Sequence, residues 1–286
     1  MTKTFSRIAS LALAALLSAS LAGCSAASAD TEGGRLTKIK ERGVLQVATE
    51  PYFAPNEFID PTKEGDGRYV GSDIELAQAI ADEIGVELEI VPLEFSAVLA
   101  SVTSGKYDLA ISALAWTPER GERMEMSIGY HFDEESLYTV LVREEDAANY
   151  TSLEDLKGKK VVCQSGSLQE QLIKDAMDVS ELDELLYVSA TTDGYLMVSE
   201  GKADACVCAS ANGQLYAEAN GGLTILPDAI NFPVADEYAG TRVGAPKGET
   251  ELIEVVNSVI EELNESGQYN EWYDEYAEYA GTLGLD

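Results

Sequence analysis

Arg120 stands where its own local structure offers a cation nothing. It follows Thr117-Pro118-Glu119, a cap-and-proline helix start, just past the buried run 108–113. The first turn of a helix favours anions. A guanidinium there is instead suited to fork onto a carboxylate from outside; the alternative is a surface arginine paired with Glu119 or Glu122. Gln164-Ser165-Gly166-Ser167 reads as a strand-to-helix turn, with Ser167 and Glu170 in capping-box spacing and backbone N–H groups facing outward for an anion. Such turns are common, so this one is weak by itself. Phe53 and Phe95 each lie just past a strand-like run and offer a ring to a ligand, or to the core. Glu50 and Glu94 are the carboxyls at such ends that could move a proton. His131 is the single histidine. Cys163, Cys206 and Cys208 show no C-x-x-C or Cys/His spacing, which argues against a zinc or manganese centre. We expect no metal and no cofactor. The three cysteines allow at most one disulfide, with one left over, or are buried thiols.

Strand-like and helix-like runs alternate, which predicts an α/β architecture. Residues 43–49 read as a short apolar strand. Residues 72–84 read as an amphipathic helix, with Ser72 and Glu75 as a capping box and Gly85 as its stop. Residues 86–91 alternate as a half-buried strand. Residues 96–104 predict a helix and 108–113 a buried strand. Gly105-Lys106-Tyr107-Asp108-Leu109-Ala110-Ile111-Ser112 is echoed by Gly201-Lys202-Ala203-Asp204-Ala205-Cys206-Val207-Cys208, each copy after a helix-like run. The echo implies two lobes of similar plan. Residues 134–144 read as a strand leaving the first lobe and 232–245 as the returning one, two crossings that make a hinge and a cleft. The tail reads as two helices, its Trp272, Tyr273, Tyr276 and Tyr279 as packing. Ligands of open α/β sheets sit beyond the carboxyl ends of strands, which nominates residues 50–56, 112–120, 164–168 and 208–211.

The chain carries 51 acidic and 19 basic residues, a formal charge of −32. That surface repels nucleic acid. Its aromatic and β-branched content marks a folded chain. Lys3 and Arg7 precede an apolar stretch, residues 8–22, shorter than the ~20 residues a spanning helix needs. The closing Leu21-Ala22-Gly23-Cys24 resembles a bacterial lipobox. That resemblance implies a signal peptide over 1–23, a diacylated Cys24, and a place on the extracytoplasmic face of the cell membrane. Residues 24–35 read as a flexible tether.

Larger stretches resemble the polar amino-acid-binding proteins of ABC importers. Val47-Ala48-Thr49-Glu50-Pro51-Tyr52-Phe53-Ala54-Pro55 is similar to their opening strand and loop, and Val70-Gly71-Ser72-Asp73-Ile74-Glu75-Leu76-Ala77 to their first long helix. Ser104-Gly105-Lys106-Tyr107-Asp108 with Ala115-Trp116-Thr117-Pro118-Glu119-Arg120 matches their most specific stretch. Lys157-Gly158-Lys159-Lys160-Val161-Val162 matches the start of their second lobe. The resemblance runs from about residue 43 to 280. It implies a two-lobed periplasmic-binding-protein-like fold of type II, each lobe an open mixed sheet flanked by helices, with a two-strand hinge. Lobe 1 would span 36–142 plus 241–286, and lobe 2 would span 143–240.

The resemblance implies roles as well. Arg120 would grip a ligand carboxylate, helped by Ser112 and by backbone at Ala113 and Ala115. Phe53 and Phe95 would sandwich the side chain, and Gln164, Ser167 and Leu168 would face it from lobe 2. The family's strand order would make the strands of Cys163 and Cys208 neighbours near the cleft, as a disulfide or as thiols beside the ligand. Ala209 stands where the family usually has an Asp for the ligand's α-ammonium, Ala115 where a hydroxyl is frequent, and Ile128 where the family has an Asp. Glu50 or Ser210 would then serve the ammonium, or the ligand lacks one. The expected function is capture of a small carboxylate-bearing solute, an amino acid or derivative, by a monomeric, non-enzymatic lipoprotein that delivers it to an ABC permease. The alternatives on the same fold are an enzyme like cyclohexadienyl dehydratase and a ligand-sensing module with a separate membrane partner.

Overall fold

The computed structural model describes residues 34–132, 138–234, 238 and 240–284. The expected signal peptide, Cys24 and nearly all of the expected tether lie outside these residues. Arg35, assigned to the tether, opens a helix instead. Its guanidinium donates to Gly105 O at 2.7 Å and to the buried Asp108 Oδ1 at 3.1 Å, which anchors the start of the fold.

From there the chain forms α1 (Arg35–Arg42), β1 (Val44–Thr49), the short β2 (Tyr52–Phe53), β3 (Glu57–Ile59) and β4 (Tyr69–Val70). Next come α2 (Ser72–Ile84), β5 (Glu87–Pro92), α3 (Phe95–Thr103), β6 (Leu109–Ala115), α4 (Pro118–Arg123) and β7 (Met124–Met126). Then follow β8 (Tyr138–Arg143), β9 (Lys160–Gln164), α5 (Leu168–Ala176), β10 (Glu184–Val188), α6 (Thr191–Ser199), β11 (Ala205–Ala209), α7 (Ser210–Asn220) and β12 (Leu223–Ile225). The chain ends with β13 (Thr241–Pro246), α8 (Thr250–Ser266) and α9 (Gln268–Leu283).

Two five-stranded sheets result, in the orders β5-β1-β6-β13-β7 and β10-β9-β11-β8-β12. Each has three parallel strands, then the crossing strand, β13 or β8, antiparallel to both its neighbours, and a short edge strand, β7 or β12. The exchange is reciprocal: β8 inserts into the second sheet after the first crossing, and β13 returns to the first. The strand at 138–143 therefore belongs wholly to the second sheet, so the change of sheet comes before the boundary drawn at 142. Hydrophobic periodicity could not show this, because a buried strand reads the same in either sheet. Bridges between His131 and Thr241, and between Tyr138 and Phe232, pair the two crossing segments.

The sequence echo has a structural counterpart. Asp108 accepts from Gln46 N at 2.8 Å, and Asp204 accepts from Lys160 N at 2.8 Å, so each pins its sheet's central strand to the neighbour. Arginines neutralise both: Arg35 and Arg42 at Asp108, Arg143 at Asp204. The first core is built from α2 and α8 over the first sheet, with Leu76, Ile80, Val256 and Ile260 fully buried. No described helix is long and apolar enough to cross a membrane.

The three described cysteines, Cys163, Cys206 and Cys208, are free and buried. Cys163 packs in one core and Cys206 and Cys208 in another, on the opposite face of the second sheet. A Cys163–Cys208 disulfide is thereby excluded. Burial pushes the Cys163 and Cys208 thiols up to about 12, and a thiol is unreactive when its thiolate is suppressed. Native protein lacking Cys24 should resist thiol reagents at pH 8, and the unreduced denatured protein should release three titratable thiols. Two fewer would show a disulfide.

Candidate functional site

The strand ends converge as the α/β rule requires. Glu50 follows β1, Phe53 lies in β2, Phe95 opens α3, and Ser112, Ala113 and Ala115 form the end of β6. Arg120 lies in the first turn of α4, capped by Thr117, whose hydroxyl accepts from Arg120 N at 3.2 Å. From the second sheet come Gln164 at the end of β9, Ser167 capping α5, Leu168 in its first turn, and Ser210 opening α7. All eleven line one cavity between the two sheets. The cavity measures about 80 Å³. A buried water needs roughly 10–15 Å³ on that measure, so the space suits a handful of waters or one small solute. Glu94 is exposed and does not line it.

Arg120 is buried and unpaired with acid among the described residues. Its neighbour Glu119 pairs with Arg123 instead. The guanidinium donates to Ala115 O at 2.7 Å and, across the cleft, to Gly166 O at 3.0 Å. Its centre lies 5.5 Å from the Phe95 ring centroid. Burial brings its pKa down from 12.5 to about 10; it remains a cation at neutral pH, in a place that favours an incoming anion. A second bond joins the two sides of the cleft: Asn212 Nδ2 donates to Ala54 O at 2.6 Å.

Beneath the cavity lies a polar network. Ala113 is the one described non-glycine residue with positive φ, at 45°. Its N–H donates to Asp73 Oδ2 at 2.7 Å. Asp73 also accepts from Tyr130 OH at 3.0 Å and from Tyr269 OH at 2.7 Å. The predicted capping box at Ser72 is replaced by this arrangement. Gly71 caps α2 without a side chain, Ser72 Oγ lies 2.9 Å from Tyr269 OH, and Glu75 accepts from Tyr276 OH at 2.6 Å. The tertiary partners outcompete the local cap because the phenols of buried Tyr269 and half-buried Tyr276 need hydrogen-bond partners.

Next to this network stand two buried carboxyls. Ser112 Oγ donates to Glu57 Oε1 at 2.9 Å and accepts from Glu50 N at 3.1 Å. Glu50 is 2 % exposed and Glu57 1 %. Glu50 Oε1 and Glu57 Oε2 have no hydrogen-bond partner among the described residues. Desolvation raises Glu50 to about 8, with Gln164 opposing and Asp193 adding to the shift. Glu57 is raised well above the carboxylate range, first by desolvation and then by Asp73.

Sequence reasoning missed part of the lining. Glu57, His131, Asn212, Thr241 and Tyr273 also face the cavity, beside Asn56 at the end of the nominated 50–56 segment. His131 stacks on Tyr273 with ring centroids 4.4 Å apart. Tyr273 was grouped with the packing aromatics; Tyr276 and Tyr279 do pack, against Phe58. Only their common helical stripe was visible, and it does not tell which ring reaches the cleft. Among the described residues no cluster of three His, Cys, Asp or Glu side chains is arranged to hold a metal.

Comparison with known proteins agrees with this geometry. Residues 45–279 match the model of the bacterial extracellular solute-binding proteins, family 3. The arginine-binding extracellular protein ArtP of Bacillus subtilis is 27% identical over 268 residues, covering 90% of this chain and 92% of its own. The cyclohexadienyl dehydratase of Pseudomonas aeruginosa is 27% identical over 188 residues, 65% of this chain and 66% of its own. The structure of AbpA from Streptococcus pneumoniae, an amino acid ABC transporter substrate-binding protein bound to L-arginine, superposes with a TM-score of 0.75. The two are 37% identical, with 87% of this chain and 99% of that one covered. With two reciprocally wound lobes, a lined cleft between them and a family match across most of its length, the chain belongs to the bacterial extracellular solute-binding proteins, family 3.

Proposed function

We propose that this chain is the lipid-anchored, extracytoplasmic receptor of an amino-acid ABC importer. It captures a small carboxylate-bearing solute, an amino acid or derivative, between lobes that close on it, and it works as a monomer. The observation that carries the reading is Arg120: a buried guanidinium without an acidic partner among the described residues, facing a cavity of solute size. Arginine in the names of ArtP and of the AbpA complex supports an amino acid as the solute. The two bonds that already cross the cleft, Arg120 to Gly166 and Asn212 to Ala54, are the contacts that closure would tighten or exchange. Taking the lobes from sheet membership, lobe 1 holds the described residues up to 132 and from 240, and lobe 2 holds 138–234. Diacylation at Cys24, after removal of residues 1–23, would hold this receptor beside its permease.

A thermal-shift screen of amino acids, amides, dipeptides and hydroxy acids tests the reading. A true ligand at a hundred times its Kd adds about 2.7 kcal/mol, which raises Tm by roughly 5–10 °C in a domain of this size. If no carboxylate-bearing compound shifts Tm, the reading fails.

Glu50 supports a second reading. A carboxyl raised to about 8 in the cleft is a proton carrier near neutral pH, and a dehydratase is among the relatives. Turnover of prephenate or arogenate by purified protein would favour it over simple binding.

A further inference from the structure

We propose that the cavity floor is a cation-for-proton exchange site, in which Glu50, backed by Ser112 and Glu57, receives a protonated nitrogen of the ligand and releases a proton as that group arrives. The inference rests on the amino-acid reading and adds the charge the solute must carry.

Two buried carboxyls lie within electrostatic reach of each other, and one hydroxyl ties the Glu57 side chain to the Glu50 backbone: Ser112 Oγ donates to Glu57 Oε1 and accepts from Glu50 N. Both are almost wholly removed from solvent, and each leaves one oxygen without a hydrogen-bond partner among the described residues. Neither forms an ion pair with any described residue. Ionising such a pair without a nearby cation is costly, so the empty pair keeps its protons.

The charged and ionisable groups around Glu50 sharpen this. Glu57 lies on β3, with Asp73 of α2 behind it, and Asp193 of α6 adds repulsion from the second sheet. The amide of Gln164 offers it a hydrogen bond but no charge. Arg120 and His131 line other parts of the same cavity, Arg120 bonded to Ala115 and Gly166, and His131 Nδ1 lying 3.0 Å from Asn270 Oδ1. The positive charge is therefore missing at Glu50. A ligand ammonium, amidinium or guanidinium supplies it, and the displaced proton passes to solvent.

With Glu50 at about 8 before binding, roughly nine in ten molecules carry its proton at pH 7. Binding then releases close to one proton. Affinity rises about tenfold per pH unit between pH 6 and 8 and levels off above, because only the ionised carboxylate receives the cation.

The nitrogen could be the ligand's α-ammonium or a side-chain cation, and three probes separate them. L-Arginine carries both, L-citrulline only the first, and 5-guanidinopentanoate only the second. Titration calorimetry at pH 7 in two buffers of different ionisation enthalpy counts protons directly. We expect arginine to release about one proton. The half-ligand that retains the release names the nitrogen. Glu50→Gln, checked for an unchanged melting profile, should lose the release and the pH slope and bind arginine at least tenfold more weakly. Arginine binding with no buffer-dependent heat overturns the proposal. So does a neutral-pH ligand from the thermal screen that binds without proton release while arginine does not bind. If nothing in that screen binds, the amino-acid reading itself falls, which is a different result.

Discussion

Arg120→Ala should abolish ligand binding while leaving the empty protein folded. Among the described residues the buried guanidinium meets two carbonyls and the ring of Phe95. Its pKa of about 10 against 12.5 corresponds to roughly 3 kcal/mol against the empty fold. A ligand carboxylate reverses that term. Removing one partner of a buried, hydrogen-bonded charge pair costs about 3–5 kcal/mol, or roughly 10²–10⁴ in Kd. Arg120→Lys should recover part of this, since an ammonium keeps the charge but not the two-pronged geometry. Calorimetry with a ligand found by thermal shift measures both variants. Their melting temperatures without ligand should stay near the parent's, because the alanine variant sheds a desolvated cation. An unchanged Kd in Arg120→Ala would remove the carboxylate from the proposed function.

Asp73→Ala should be the opposite kind of lesion, severe for the fold before any ligand is added. Asp73 is fully buried and accepts from Ala113 N, Tyr130 OH and Tyr269 OH. Each orphaned buried donor costs about 1–3 kcal/mol. Tyr269 keeps Ser72 Oγ as an alternative acceptor, so the net loss is about 3–5 kcal/mol, or a fall in Tm of roughly 10–15 °C. Asp73→Asn keeps one acceptor oxygen but points an amide at a donor, and should lie between. The bond from Asp73 also holds Ala113 at φ 45°, a conformation that persists only when its surroundings impose it. Ligand affinity should fall with stability in both variants, because Ala113 lines the cavity. A Tm within about 2 °C of the parent would show that the network is not holding the strand end.

Much of the cleft was legible because strand ends are legible. Apolar runs that stop at Thr49, Ala113 and Gln164 mark where side chains change from core to cavity, and the residues just beyond them do meet. Thr117-Pro118 announces a helix start, and the structure has the predicted cap. Ser72 was misread for a matching reason: its spacing to Glu75 suits a local cap, yet its partner, Tyr269, comes from the far end of the chain. Glu57 could not be ranked above other acidic residues of a chain with 51 of them. Its importance comes from a shared hydroxyl on a strand 55 residues away.

The sequence by itself determined the local choices: which runs become strands and helices, where they stop, that two similar halves exist, and that Arg120 stands at a strand end with a charge to satisfy. Periodicity, caps and glycine stops act over a few residues, so they are written where they act. Only the tertiary structure decided that β8 and β13 exchange between sheets, that Arg120 reaches Gly166 across the cleft, that His131 and Tyr273 face the cavity, and that Glu50 and Glu57 share Ser112 away from water. Burial and pairing set those properties, and both depend on residues that meet only after the two lobes have formed around the same space.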